Sequence, residues 1–454
     1  MSYLGIDIGT TSCKLCLINN VNNEKLAEKS LVHNAHVDQP SHPEYDEQSP
    51  LVIVESIKQL LDSVKGHPVQ SIQLCGQMHG ILFWHSNDSL KIVSNLITWQ
   101  DQRCSKEFLD SLSSKTKMSA GYGLATYSWL KQNKSESIKK YDRCGTIMDY
   151  IAELSCYSQN TSFISTQNAN SWGYYDIKTN TWEENGLFDY LPNIVQPGTI
   201  IGHTSSKSCF SSYLPENIPV FVSLGDLQCS VYSCLENDKN DCVCNISTSA
   251  QLCVTIERKH EMNKNFKEDQ LLSSYIRVPY FDNNDLLVAA SLNGGNVLTS
   301  FIQMIDMWLN ELIPNSSSFL SIQELWSKII QLGLKSSSCP LLDLSAALYG
   351  ERHDPDMCAY IQNIRFNTNI NNIGLVFRSI CHWIIQNLYT MITKQILVET
   401  NTQRIICTGN ALIKNQLLQN ELKLIFSDMN VIFNHNSDAA YGAALFCLHH
   451  QSKK

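Results

Sequence analysis

Tyr3-Leu4-Gly5-Ile6-Asp7-Ile8-Gly9-Thr10-Thr11-Ser12-Cys13-Lys14-Leu15-Cys16-Leu17-Ile18 reads as two apolar strands joined by a turn of glycine and hydroxyl residues. The pattern returns half a chain later. There, Cys242-Val243-Cys244-Asn245-Ile246 leads into Ser247-Thr248-Ser249 and out through Gln251-Leu252-Cys253-Val254-Thr255-Ile256. Two such pairs predict two related halves, and the polar run Glu236-Asn237-Asp238-Lys239-Asn240-Asp241 between them is the candidate linker. The expected domains are 1-236 and 242-454, in agreement with a length of 454 residues, which exceeds what one hydrophobic core serves.

Outward from the hairpins, strand and helix patterns alternate, which predicts an α/β fold. From Ile373 to Leu397 the apolar residues Ile373, Val376, Phe377, Ile380, Ile384, Leu388, Met391 and Ile392 recur at helical spacing, predicting one core helix. Arg404-Ile405-Ile406-Cys407 reads as a strand, Thr408-Gly409-Asn410 as a turn and Ala411 to Phe426 as a helix. The last segment, with Asp438, Ala439, Ala440, Gly442, Ala443 and Ala444, reads as a helix whose small side chains admit a neighbouring backbone.

Composition narrows the function. A hydrophobic content of 43% with 17% charged residues is that of a folded globular chain. A net charge of -9 provides no basic field for nucleic acid or anionic lipid, so neither is an expected partner. Asp7 and Lys14 fall where a signal peptide needs an apolar core, so the chain is expected to be cytoplasmic. The 17 cysteines are then expected to be reduced and mostly buried; Cys13 and Cys16, three apart in a strand, face opposite ways and form no metal or redox pair.

Three groups of residues carry candidate chemistry. Phosphate needs backbone N–H donors behind small side chains, with a carboxylate nearby to hold Mg²⁺; Asp7, Gly9, Thr10, Thr11 and Ser12 supply these. The same residues also suit an ordinary turn. No G-x-x-x-x-G-K-[ST] loop is present, which excludes a P-loop enzyme. Transfer to an alcohol needs a base, and Asp226 follows the apolar run Ile218-Pro219-Val220-Phe221-Val222-Ser223-Leu224 and Gly225 at a strand end. Capping a helix from Leu227 is the bland alternative for it. A sugar site needs amides, imidazoles and an apolar floor; Gly76-Gln77-Met78-His79-Gly80 and Ile97-Thr98-Trp99-Gln100-Asp101-Gln102-Arg103 offer Gln77, Met78, His79 and Trp99.

In this order, Asp7 to Ser12, Gly76 to Gly80, Trp99-Gln100-Asp101-x-Arg103, Gly225-Asp226-x-Gln228, Gly350-Glu351-Arg352 and the Gly409 turn resemble the FGGY family of carbohydrate kinases, from about Leu4 to Leu448. The resemblance implies two ribonuclease H-like, actin-like ATPase domains with ATP and a sugar in an interdomain cleft. It implies Asp226 as catalytic base, Asp7 and Asp226 beside Mg²⁺, and Gly9, Thr10, Thr11 and Ser12 as the first phosphate hairpin. Thr248 would lie on the second hairpin; Gly294 and Gly295 would form a nucleotide-side turn, and Gly409 and Asn415 would contact adenosine. Gln77, Met78, His79, Trp99 and Asp226 fall where relatives contact sugar. Ser247, Ser249 and Asn410 stand where the family often has glycine. The implied partners are ATP and a small sugar, for a monomer or homodimer. The stretches Gln167 to Tyr174, Gly225 to Cys229 and Asn245 to Ser249 point within the family to a ketose, sedoheptulose, phosphorylated at its terminal primary hydroxyl. Xylulose or glycerol as acceptor, or a non-catalytic sugar or nucleotide sensor of the same fold, remain open alternatives at this point.

Overall fold

The computed structural model describes residues 1–115, 118–156, 161–183, 188–235, 240–258, 274–313, 320–365, 372–434 and 438–451. Two compact units divide the chain: Met1–Glu236 together with Ser437–Lys454, and Asn237–Asn436. Glu236 to Lys239 of the expected linker lie outside the described residues.

In the first unit the strands Ser2–Ile8, Ser12–Asn19 and Lys25–Val32 form an antiparallel meander. Val69–Gly76 lies parallel to Ser2–Ile8 on its other side, followed by Pro219–Phe221, parallel again, and by antiparallel Ile200–His203. In the second unit the sheet order runs Ile276–Pro279, Asn284–Ser291, Ala250–Glu257, Asp241–Ile246, Arg404–Thr408 and Asn430–Phe433. Here too an antiparallel meander is extended by two parallel strands on the side of its first strand. A 3-2-1-4-5 core of this kind, present twice, is the ribonuclease H-like arrangement of actin-like ATPases.

Both faces of the first sheet are covered. Leu4, Ile6, Ile8, Leu15 and Leu17 pack against Ile53, Ile57, Leu60, Ile147, Met148 and Ile151 from helices Pro50–Leu61 and Ile147–Ser155. Tyr3, Cys16, Ile18 and Phe221 pack against Ala440, Ala444, Leu445 and Leu448 of helix Ala439–Gln451. That last helix was expected with the domain 242-454; it belongs to the first unit because its small face seats on this sheet. An ideal Cβ at Gly5 would lie 2.0 Å from the Ala440 carbonyl oxygen, and one at Gly442 would lie 1.9 Å from that of Cys229. Cys13 and Cys16 are both buried, in different clusters on opposite faces.

Two long elements are divided where one was expected. The helix from Ile373 ends at Met391, and a second, Lys394–Glu399, begins after Ile392 turns extended and Thr393 takes the N-cap position. The helix expected from Ala411 is cut into Asn410–Lys414 and Gln416–Ile425, because the Asn415 side chain accepts from Leu417 N at 3.0 Å and Leu418 N at 3.4 Å and so starts a new helix. Among the described residues no helix is long and apolar enough to cross a membrane.

Helix Ile147–Ser155 opens with a capping box between Thr146 and Asp149, a residue 4% exposed. Burial pushes the Asp149 carboxyl up from 3.8 to about 6, against hydrogen bonds from Ser223 and Thr146 that pull it down. The folded state therefore binds this proton more tightly than the unfolded chain. The stabilisation is complete below about pH 3.8 and is lost as pH rises through about 6. Asp149→Asn does not titrate there. Its unfolding free energy relative to wild type should rise by up to about 3 kcal/mol between about pH 4 and 7 in urea titrations. A difference that does not change with pH would reject this account.

Candidate active site

The turn between Ser2–Ile8 and Ser12–Asn19 closes with Gly9 N–H donating to Ser12 O at 3.0 Å. Side chains from several loops then take up its carbonyls. His33 Nε2 bonds Gly9 O at 3.1 Å, and Gln48 Nε2 donates to Thr10 O at 2.8 Å. The Trp99 indole N–H donates to Thr10 Oγ1 at 2.9 Å, so this sequence-predicted sugar residue also braces the hairpin. Thr10 and Thr11 give carbonyls rather than N–H groups to these bonds, as a phosphate cradle requires.

The Gly76 to Gly80 loop begins where its strand ends beside Ile8. Gln77 N–H donates to Ile8 O at 2.9 Å, and its Nε2 to Gln48 Oε1 at 3.0 Å. Gly80 N–H donates to Met78 O at 3.0 Å around a His79 with φ +75°, a tight three-residue turn that a side-chain-bearing residue adopts at a cost of about 1–3 kcal/mol. His79 is held there from two sides. Its Nδ1 donates to Ser171 O at 2.8 Å, which makes Nε2 the acceptor of the neutral ring, and the ring stacks on Tyr122 at 5.0 Å. Tyr122 comes directly after Gly121, where an ideal Cβ would lie 2.1 Å from Trp99 O, so the backbone before Tyr122 packs against that of Trp99. The Met78 side chain lies beside the residue before Asp226: an ideal Cβ at Gly225 would meet its sulfur at 2.6 Å.

Asp226 comes directly after the short strand Leu224–Gly225, begins the helix Asp226–Leu235, and accepts from Leu227 N at 2.7 Å through Oδ1. The helix therefore starts at Asp226 rather than at Leu227, and the carboxylate takes the next N–H instead of capping a turn further on. Burial pushes its carboxyl up to about 6, in the range suited to base work near neutral pH. Asp7 is pushed up to about 8 by burial and then by the negative charges of Asp226 and Asp438, with Lys14 opposing. Its Oδ1 is buried without a hydrogen-bond partner. A lone buried oxygen facing like charges is what a cation would satisfy, so this donor set fits a divalent metal.

The remaining candidates gather in the second unit, around a cavity of about 730 Å³. Thr248, Gly295 and Asn415 line it, with Trp326, Tyr349, Asn410 and Lys414. Gly295 N–H donates to Ser247 O at 2.8 Å and Asn296 N–H to Thr248 O at 3.0 Å, which ties the second hairpin to the Gly294-Gly295 turn. That turn is fixed by Glu351, which accepts from Asn293 Nδ2 at 2.9 Å and Leu292 N at 3.1 Å. Gly409 has φ +96°, and a Cβ there would lie 2.4 Å from Ile246 O, so only glycine fits beside the hairpin. The Asn415 oxygen is spent on its helix cap, while Nδ2 is buried without a partner.

The structure thus groups Asp7, Gly9 to Ser12, Gln77, Met78, His79, Trp99 and Asp226 in the first unit, and Thr248, Gly294, Gly295, Gly409 and Asn415 in the second. Sequence reasoning missed Tyr122, Ser171, Gln48 and Trp326. A chemical signal existed only for Tyr122, an aromatic between glycines.

A paired carboxylate at a strand end, beside a hydroxyl-rich hairpin on a ribonuclease H-like sheet, is an arrangement suited to phosphoryl transfer. The FGGY family of carbohydrate kinases, N-terminal domain, matches residues 2–233, and the chain belongs to that family as an ATP-dependent sugar kinase. It is 35% identical to the sedoheptulokinase of Mus musculus and 34% identical to that of Homo sapiens, each over 98% of this chain and 97% of the relative. Among solved structures it resembles xylulose kinase from Rhodospirillum rubrum, at TM-score 0.81 and 14% identity over 98% of this chain and 89% of the other. It also resembles Plasmodium falciparum glycerol kinase with ADP, at TM-score 0.78 and 18% identity over 100% and 90% of the two chains. Likeness at that level shows the fold.

Proposed function

We propose that this kinase phosphorylates a ketose at its terminal primary hydroxyl, converting sedoheptulose and ATP to sedoheptulose 7-phosphate and ADP. The observation that carries the acceptor is the 34–35% identity to two sedoheptulokinases over 98% of the chain. Asp226 takes the hydroxyl proton as the oxygen attacks the terminal phosphorus in line. Trp99, Met78, His79 and Gln77 hold the sugar. Gly9, Thr10, Thr11 and Ser12 cradle phosphate from the first unit. Thr248, Gly294, Gly295, Gly409 and Asn415 hold the nucleotide on the second. Asp7 and Asp226 are the residues that would hold Mg²⁺, which, when bound, neutralises charge on the phosphates.

The test is a coupled ADP-release assay across sedoheptulose, xylulose, glycerol and other polyols, with the phosphate located on the product. Sedoheptulose should give the highest kcat/KM. Preference for xylulose or glycerol would overturn the acceptor, and binding without sugar-dependent ADP release would indicate a sensor.

Trp326, half-buried on the cavity wall and edge-on to Phe377 at 6.0 Å, offers the base an aromatic face. Stacking of a nucleobase on an aromatic side chain contributes about 1–3 kcal/mol, so Trp326→Ala should raise the KM for ATP by about 5- to 150-fold with little change in the KM for sugar. Equal shifts in both KM values would remove Trp326 from this role.

A further inference from the structure

The strand that delivers Asp226 is not continuous. The run Ile218 to Leu224 reads as one strand, yet the structure divides it into Pro219–Phe221 and Leu224–Gly225, both paired with Val69–Gly76. Val220 stands opposite Ile72 and Leu224 opposite Cys75, so Phe221, Val222 and Ser223 face only Gln73 and Leu74. One residue is extra, a bulge of the kind that bends a strand and re-aims the side chains beyond it.

Fully buried side chains hold the bulge in place of the lost ladder bonds. Gln73 Nε2 donates to Val222 O at 2.7 Å. Asn168 Nδ2 donates to Ser223 O at 3.3 Å and to Ser223 Oγ at 3.1 Å, while Ser223 Oγ donates to Asp149. Gln167 Oε1 accepts from Gly225 N at 3.2 Å, one residue before Asp226. Water cannot replace these partners at sites with no exposed surface, so the conformation of residues 222–225 depends on them.

We propose that Gln73, Gln167, Asn168 and Ser223 form a clamp on this bulge that aims the Asp226 carboxylate at the acceptor hydroxyl, with Gln167 and Ser223 acting as positioning residues. The inference rests on Asp226 being the base. A misplacement of about 1 Å at the reacting group can cost on the order of a hundredfold, so the clamp should govern turnover rather than binding.

The experiment is a double-mutant cycle. Gln167→Met removes the acceptor of the Gly225 N–H at similar volume, and Ser223→Ala removes one small hydroxyl from a segment that should still fold. Each is made alone and with Asp226→Asn, and kcat and both KM values are measured at high enzyme concentration. Expected is a loss of kcat of about tenfold or more for each single variant, with KM values within about twofold. In the Asp226→Asn background the further loss should be less than about twofold. Gln167→Glu, which keeps the acceptor, should recover most of the Gln167→Met loss. Wild-type kcat in folded Ser223→Ala, a loss confined to KM, or an equal loss with and without Asp226 would each overturn the clamp. A wild-type protein that phosphorylates no sugar would instead overturn the functional reading beneath it.

Discussion

Asp226→Asn should lower sugar-dependent turnover by about 10² to 10⁴ while leaving the KM for sugar and for ATP within a few fold. The substitution preserves shape. An amide oxygen can still accept the Leu227 N–H that Oδ1 accepts at 2.7 Å, so the start of the helix Asp226–Leu235 is kept. The variant lacks a group able to take the hydroxyl proton, and the expected loss corresponds to about 3–5.5 kcal/mol of transition-state stabilisation. Alignment of the two substrates and exclusion of water contribute about 7–11 kcal/mol in well-oriented reactions, so a residual rate above background is expected. Steady-state rates with sedoheptulose and ATP measure it, and near-normal turnover would remove Asp226 from the role of base.

Gly5→Val should be strongly destabilising to the first unit. Gly5 pairs with Cys16 and Gln73 in the centre of the sheet, and its missing side chain is the space through which helix Ala439–Gln451 makes its approach. A Cβ would lie 2.0 Å from Ala440 O and 2.7 Å from Ala444 N. Both are backbone atoms, which no rotamer change can move. The helix must shift away from Tyr3, Cys16 and Ile18, at a cost of about 3 kcal/mol or more. For a unit of this size that predicts a fall in Tm on the order of 10 °C, measured by calorimetry with and without sugar. A Tm within about 2 °C of wild type would mean that the helix does not sit where the structure places it.

The parts of the site that were legible in the sequence are those set by local chemistry. Asp7 to Ser12 and Ser247 to Ser249 stand out because glycine and hydroxyl residues interrupt apolar strands, and both turns form as read. The flanking glycines mark Met78 and His79 in the sequence, since they permit a tight loop there. Gly409 is legible for the same reason. The bulge before Asp226 was hidden because Ile218 to Leu224 is uniformly apolar apart from Ser223, and apolar runs carry no register. The residues that pin it are remote; Gln73 and Val222 are separated by 149 positions. Asn415 was legible as a residue but not as a helix break, because Ala411 to Phe426 keeps helical spacing across it. The seat of the closing helix was likewise invisible: small side chains announce close contact, not the partner.

That seat gives synthesis a direction problem. The second unit is one uninterrupted stretch and can fold as it leaves the ribosome, whereas the first must wait for residues made after it. Until Ala439 to Gln451 emerge, one face of the nascent sheet around Tyr3 and Ile18 stays bare, a surface for chaperones to shield. A circular permutant that begins with this helix and joins it to Met1 would release the first unit from that delay.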